Sequence, residues 1–197
     1  VVTIGTVEAM HLALRAVARP GSIIAVDSPT YFGILQTIDP LGMKAIEIPT
    51  HPRTGMDLNV LEDNLRKHKI QAVITMANGH NPLGFIMPDD HKKAMVELTA
   101  RYSVPLIEDD VYGDLAYRDT RPRSLKSFDR QELVIQCASF SKTIGPGLRV
   151  GWVHAGRFRD AVHRLKTLTN LSSPGLPQHA VAAYLESGSY ERHLRQL

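Results

Sequence analysis

Apolar and polar positions switch between two periods along this chain. Val7 to Ala18 carries apolar residues at helical spacing. SIIAV (22–26) then reads as a strand, Phe32 to Ile38 as a helix, KAIEI (44–48) as a strand and LNVLEDNLRKH (58–68) as a helix. The alternation continues through QAVITMA (71–77), the amphipathic PDDHKKAMVELTARY (88–102), VPLIEDD (104–110), ELVIQCA (132–138), RVGWVHA (149–155) and the helix-like RFRDAVHRLKTLTNL (157–171). Gly, Pro or Asn stands at most junctions. Strands alternating with helices predict an α/β fold of three layers, a mainly parallel sheet with helices on both faces. No repeat or low-complexity tract interrupts the pattern, and RDTRPRSLKSFD (118–129) is its longest irregular stretch, so one continuous domain is expected.

Composition narrows the function classes. The net charge of +3 comes from Lys and Arg interleaved with Asp and Glu, which does not point to nucleic-acid binding by this segment. No stretch approaches the roughly 20 consecutive apolar residues of a membrane span. The single Cys137 cannot form an internal disulfide, which fits a cytoplasmic setting. The chain opens at Val1 in mid-pattern and stops inside YERHLRQL (190–197), which reads as the first turns of a helix, so residues 1–197 are expected to be part of a longer protein.

Ligands of such sheets sit beyond the carboxyl ends of the strands, and five such places carry chemistry. SFSKTIGPGLRVGW (139–152) puts Lys142 on a loop after a strand, in apolar company and near the cation Arg149, conditions that favour the free amine that attacks carbonyls. Ser139, Ser141 and Arg149 around it offer two hydroxyls and a forked cation, the groups that hold a phosphate dianion. In GTVEAMHLAL (5–14), Gly5 and Thr6 open a helix whose first N–H groups, those of Thr6 and Val7, would face an anion. VPLIEDDVYGD (104–114) ends a strand in Glu108, Asp109 and Asp110, followed by Tyr112; by spacing alone these acids could bind magnesium or form a solvated turn. ITMANGHNPLG (74–84) holds Asn81 before Pro82, and AVDSPTYFG (25–33) places Tyr31 where a ring can stack on a flat ligand. A lysine nucleophile, a phosphate cup, a carboxylate, an amide and a stacking ring together suit pyridoxal 5′-phosphate, which has an aldehyde, a phosphate, a ring nitrogen, a phenolic oxygen and a flat face.

These motifs resemble the large domain of fold-type-I, class I/II aminotransferases, over nearly the whole chain. The resemblance implies that Lys142 forms the internal aldimine, and that Gly5, Thr6, Val7, Ser139, Ser141 and Arg149 hold the phosphate. It implies further that Asp109 pairs with the pyridinium nitrogen, that Tyr112 and Asn81 bind the phenolic oxygen, and that Tyr31 stacks on the ring. EDDVYGDL, SFSKTIGPGLRVGW and LESGSYERHLRQL are most similar to MocR-type regulators, where a GntR-like winged helix-turn-helix precedes an aminotransferase-like domain. On that resemblance residues 1–197 are the cofactor-binding large domain and an amine or amino acid is the effector. DNA is then contacted only through an N-terminal domain outside this chain, and the parent is a cytoplasmic homodimer. The alternative is the large domain of a stand-alone aminotransferase. The arginine that grips a substrate carboxylate belongs to the family's C-terminal small domain, which this chain does not include.

The chain departs from the family where Ala77-Asn78-Gly79-His80 replaces the usual proline and aromatic before Asn-Pro. His80 is expected either to decorate the loop or to replace that aromatic. Two other chemistries fit less well. Ser139-x-x-Lys142 matches the S-x-x-K of serine acyl-transferases, but KTIG is not K-T-G, no S-D-N follows, and the motif stands at a strand-to-loop junction. His80, His91, His154, His163, His179 and His193 form no tight metal-binding set, so no metal is expected.

Overall fold

The computed structural model describes residues 1–117 and 120–197. The strands are β1 (Val2–Thr3), β2 (Ile23–Ser28), β3 (Lys44–His51), β4 (Gly55–Met56), β5 (Ile70–Thr75), β6 (Leu106–Asp109), β7 (Val134–Ser139) and β8 (Gly151–His154). They form one sheet in the order β1-β8-β7-β6-β5-β2-β3-β4. Strands β3, β2, β5, β6 and β7 run parallel, while β8 and β4 pair antiparallel with β7 and β3, and β1 antiparallel with β8. The mainly parallel sheet is therefore present, closed at each edge by short antiparallel strands.

The helices are α1 (Thr6–Val17), α2 (Phe32–Ile38), α3 (Leu58–Lys67), α4 (Asp89–Arg101), α5 (Arg159–Asn170), α6 (Gly175–Glu186) and α7 (Ser189–Leu194). Successive strand residues point to opposite faces, so the sheet feeds two cores. Ile24, Val26, Ile107, Ile135 and Cys137 pack against Met10, Leu14, Ile34 and Val162 of α1, α2 and α5. Ala25, Val73, Leu106 and Val134 pack against Leu61, Leu65, Met95 and Leu98 of α3 and α4. In the central strands β2, β5, β6 and β7 both faces are covered, which is why these strands read as continuous apolar runs rather than as alternation.

The apolar pattern missed three elements. β1 and β4 are two residues each, too short for any period. α6 buries only Val181 and so lacks an apolar stripe. Of the irregular stretch 118–129, Arg118 and Asp119 lie outside the described residues, and Leu125–Phe128 forms a 3₁₀ turn.

The chain steps outward from β2 to β3 and then returns to the other side of β2 with β5. That reversal leaves a crevice beyond the carboxyl ends of β2 and β5. No helix among the described residues is long and apolar enough to cross a membrane.

Candidate functional site

A cavity of about 250 Å³ opens at that crevice and extends past the ends of β6 and β7. Of the residues that the family resemblance gives to the cofactor, all but Gly5 line it. Met10, Met76, Val111 and Pro146 complete the wall; they are ordinary apolar positions, and nothing in the sequence distinguishes them from core.

The three acids at the end of β6 separate by strand alternation. All three are buried, so the solvated turn does not describe them, and they bond separate partners. The Glu108 carboxylate accepts the N–H groups of Leu125 (2.7 Å) and Lys126 (3.1 Å) on the far side of the sheet. Asp110 accepts from Asn78 Nδ2 (3.0 Å), Gln136 Nε2 (2.7 Å) and an Arg121 terminal nitrogen (2.7 Å). Asp109 alone faces the cavity. One of its oxygens accepts the Val111 N–H at 3.3 Å, and the other has no hydrogen-bond donor among the described residues.

Burial pushes the Asp109 carboxyl up to about 7, against the opposing pull of the Val111 N–H and the Lys142 charge. Glu108 is raised in the same direction, first by burial and then by the Asp110 charge. Both groups hold protons in the folded chain that they have lost in the unfolded one. Their contribution to stability is therefore fullest below about pH 4 and declines as pH rises through the folded values. With Asp109 titrating near 7, the ligand-free protein is expected to lose about 1.4 kcal/mol between pH 6 and 8 from this group. Urea midpoints across that range measure the loss, and Asp109→Asn is expected to remove this part of the slope.

The loop after β7 carries the lysine. Lys142 is exposed, which corrects the expectation that apolar neighbours desolvate its amine. Its Nζ lies 5.8 Å from the centre of the Tyr112 ring, and its charge reaches Asp109. The acid absent from its sequence neighbourhood thus comes from the adjacent strand.

Around Lys142, Ser139 Oγ accepts the Thr6 hydroxyl at 2.8 Å, tying β7 to the start of α1. Arg149 sits in the left-handed region at φ +54° after a 3₁₀ turn. Its guanidinium donates to Ser141 Oγ (3.3 Å), Pro146 O (3.2 Å) and Ile4 O (2.6 Å). No carboxylate among the described residues pairs with it. The N-terminus of α1 has no side-chain cap either, so free N–H groups and an acid-free guanidinium lie side by side, a setting for an anion.

Gly5 explains that closeness. Its φ of +99° is left-handed territory, and a Cβ there would overlap the Arg149 guanidinium. Gly5→Ala is therefore expected to displace Arg149 and to weaken binding of a phosphate-bearing ligand by about tenfold or more, from loss of a charged hydrogen bond. Calorimetric titration checks it.

The loop after β5 supplies Asn81 to the cavity. Gly79 has φ +66° and packs its Cα side against Tyr112 Cβ, a conformation closed to proline, whose ring fixes φ near −65°. His80 neither decorates the loop nor joins the cavity. It is buried, stacked on Phe85 at 4.6 Å between ring centres, with Nδ1 accepting the Leu83 N–H and Nε2 3.5 Å from Asp27. Tyr31 caps the start of α2 and lines the cavity from the β2 side.

A family model for aminotransferase class I and II matches residues 1–196. The HTH-type transcriptional regulator YjiR of Escherichia coli K12 is 44% identical over 197 residues, all of this chain and 42% of the relative. YdcR of the same organism, also an HTH-type transcriptional regulator, is 40% identical over the same share of each chain. The crystal structure of kynurenine aminotransferase from Pyrococcus horikoshii, in complex with PMP, overlays with a TM-score of 0.91 at 31% identity, covering all of this chain and 50% of that one. The chain thus spans less than half the length of the two regulators.

Proposed function

Because the chain belongs to the aminotransferase class I and II family, we propose that residues 1–197 are the pyridoxal 5′-phosphate-binding large domain of a cytoplasmic, homodimeric transcription regulator that senses an amine or amino acid. A winged helix-turn-helix would precede it and contact DNA, and a small domain would follow. The observation that carries the cofactor reading is the buried Asp109 carboxylate, half-satisfied and open to the cavity, with the Lys142 amine and the acid-free Arg149 lining the same space.

When bound, pyridoxal phosphate supplies an aldehyde that condenses with amines and a pyridine ring that draws electrons from bonds at the α carbon of an amino compound. The chain's residues divide the remaining work. Arg149, Ser139, Ser141 and the backbone N–H groups of Thr6 and Val7 hold the phosphate, with Gly5 leaving room for the guanidinium. Asp109 would accept a hydrogen bond from the ring nitrogen and so favour its protonated form, an ion pair that the exclusion of water would strengthen. Tyr112 and Asn81 bind the phenolic oxygen and Tyr31 covers a ring face. Lys142 would supply the amine for the aldehyde, and its Nζ could hold and return a proton at the α carbon.

Reduction with borohydride in the presence of pyridoxal phosphate, followed by peptide mass analysis, is expected to place a phosphopyridoxyl group on Lys142. Labelling at another lysine would overturn the assignment.

A second reading, the large domain of a stand-alone aminotransferase, is favoured by the likeness to the Pyrococcus enzyme. The full-length protein separates the two. A regulator shifts a DNA fragment from its own promoter in an amine-dependent way, whereas an enzyme turns over an amino acid and an oxo acid without binding DNA.

A further inference from the structure

We infer that Tyr190 and His193 of the short helix α7 are positioning residues for Lys142, strapping its turn to the loop that carries Tyr112. The inference rests on the reading of Lys142 as the cofactor-binding amine.

The turn after β7 is closed by two bonds, from Ile144 N (2.9 Å) and Gly145 N (3.1 Å) to Phe140 O, with Lys142 exposed at its middle. α7 grips this turn on both sides of the lysine. Two residues before it, the Phe140 ring is wedged between Trp152 (5.0 Å) and the edge of Tyr190 (5.8 Å, 87°). One residue after it, Thr143 O accepts His193 Nε2 at 2.7 Å, which requires that nitrogen to carry a proton. Thr143 is itself buried, so α7 adds its hold to that of Arg149, which bonds Ser141 and Pro146 of the same loop.

The same helix holds the second wall of the cavity. Tyr190 is buried, and its hydroxyl donates to Asp114 Oδ2 at 2.7 Å, two residues beyond Tyr112. Asp114 also accepts from Arg121, which in turn donates to Asp110. Tyr184 of α6 sets its edge against both Tyr190 (6.5 Å) and His193 (6.3 Å), fixing the two side chains together. A six-residue helix is far too short to be stable alone. Its contacts and its helical form therefore stand or fall together, and moving α7 moves Lys142 relative to Asp109 and Tyr112.

Hydrogen exchange of the full-length protein without cofactor tests the strap. His193→Ala is expected to speed exchange of the Ile144 and Gly145 amides about tenfold, the scale of one lost hydrogen bond, with β7 amides unchanged. His193→Gln, whose amide can donate to the same carbonyl, is expected to restore protection. Tyr190→Phe, which keeps the ring and loses the hydroxyl that bonds Asp114, is expected to loosen the turn less than His193→Ala does. The rate of borohydride-trapped phosphopyridoxyl formation on Lys142 should fall about tenfold in His193→Ala and recover in His193→Gln. Unchanged exchange at Ile144 and Gly145, or equal acceleration throughout β7, overturns the inference. Failure of the unaltered protein to capture cofactor at Lys142 would instead overturn the proposed function, with the exchange result still deciding the strap.

Discussion

Lys142→Ala is expected to eliminate covalent capture of pyridoxal phosphate while leaving the fold as stable as before. The side chain is exposed and approaches the Tyr112 ring only loosely, at 5.8 Å, so little packing is lost. The residues assigned to the phosphate remain, held by the Ser139–Thr6 bond and by the Arg149 bonds to Ile4 and Pro146. The variant should still retain cofactor, but release it on dialysis and show no phosphopyridoxyl mass after borohydride. Lys142→Arg keeps the positive charge near Asp109 but cannot supply a free amine, since a guanidinium does not deprotonate in proteins. It is expected to behave as the alanine variant does in trapping. Thermal melting reads the stability half of the prediction, and a fall of more than about 1 kcal/mol would mean that the lysine is part of the packing, contrary to its exposure.

Asp110→Ala is expected to cost about 3 to 5 kcal/mol of folding stability, the range for removing one partner of a buried ion pair. Asp110 is buried and accepts three donors, from Asn78, Gln136 and Arg121. Asn78 is in turn oriented by Lys92, whose fully buried Nζ donates to Asn78 Oδ1 (2.8 Å) and to Arg123 O (2.6 Å). Removing the carboxylate strands two amides and takes away negative charge from around two cations. Arg121 is partly exposed and can turn to water, which places the loss nearer the lower end of the range. Urea unfolding at constant m-value measures it, and a loss below about 1 kcal/mol would show that the network re-forms around the gap. The Asp110 charge also raises the proton affinity of Glu108 and Asp109. The same variant should therefore show a shallower decline of stability between pH 6 and 8.

The pattern of apolar positions was sufficient for the architecture because period 2 and period 3.6 are local properties. Phe32–Ile38 coincides with α2 as read from the sequence, and the other long runs fall on strands and helices within a few residues. The candidate residues were legible for a related reason. Most stand at or shortly after the carboxyl end of a strand, with Arg149 just before the antiparallel β8, and the topology of the sheet gathers these places in one crevice. The five short motifs therefore meet without any of them encoding the meeting.

What local pattern could not supply was the environment of each side chain, because burial and charge pairing join residues far apart in the chain. Glu108, Asp109 and Asp110 look equivalent in sequence. The 3₁₀ turn at Leu125 takes the first, the Asn78–Gln136–Arg121 cluster takes the third, and only the second is left to the cavity. His80, read as a loop or site residue, is enclosed by Phe85 and Asp27. YERHLRQL announced a helix but not its task, since the Phe140, Thr143 and Asp114 contacts exist only after β6, β7 and α7 have been brought together. The amino-acid sequence by itself therefore determined the order of elements and the chemical groups offered at the strand ends. The tertiary structure alone decided which of those groups are buried, which are paired, and which are left free to meet a ligand.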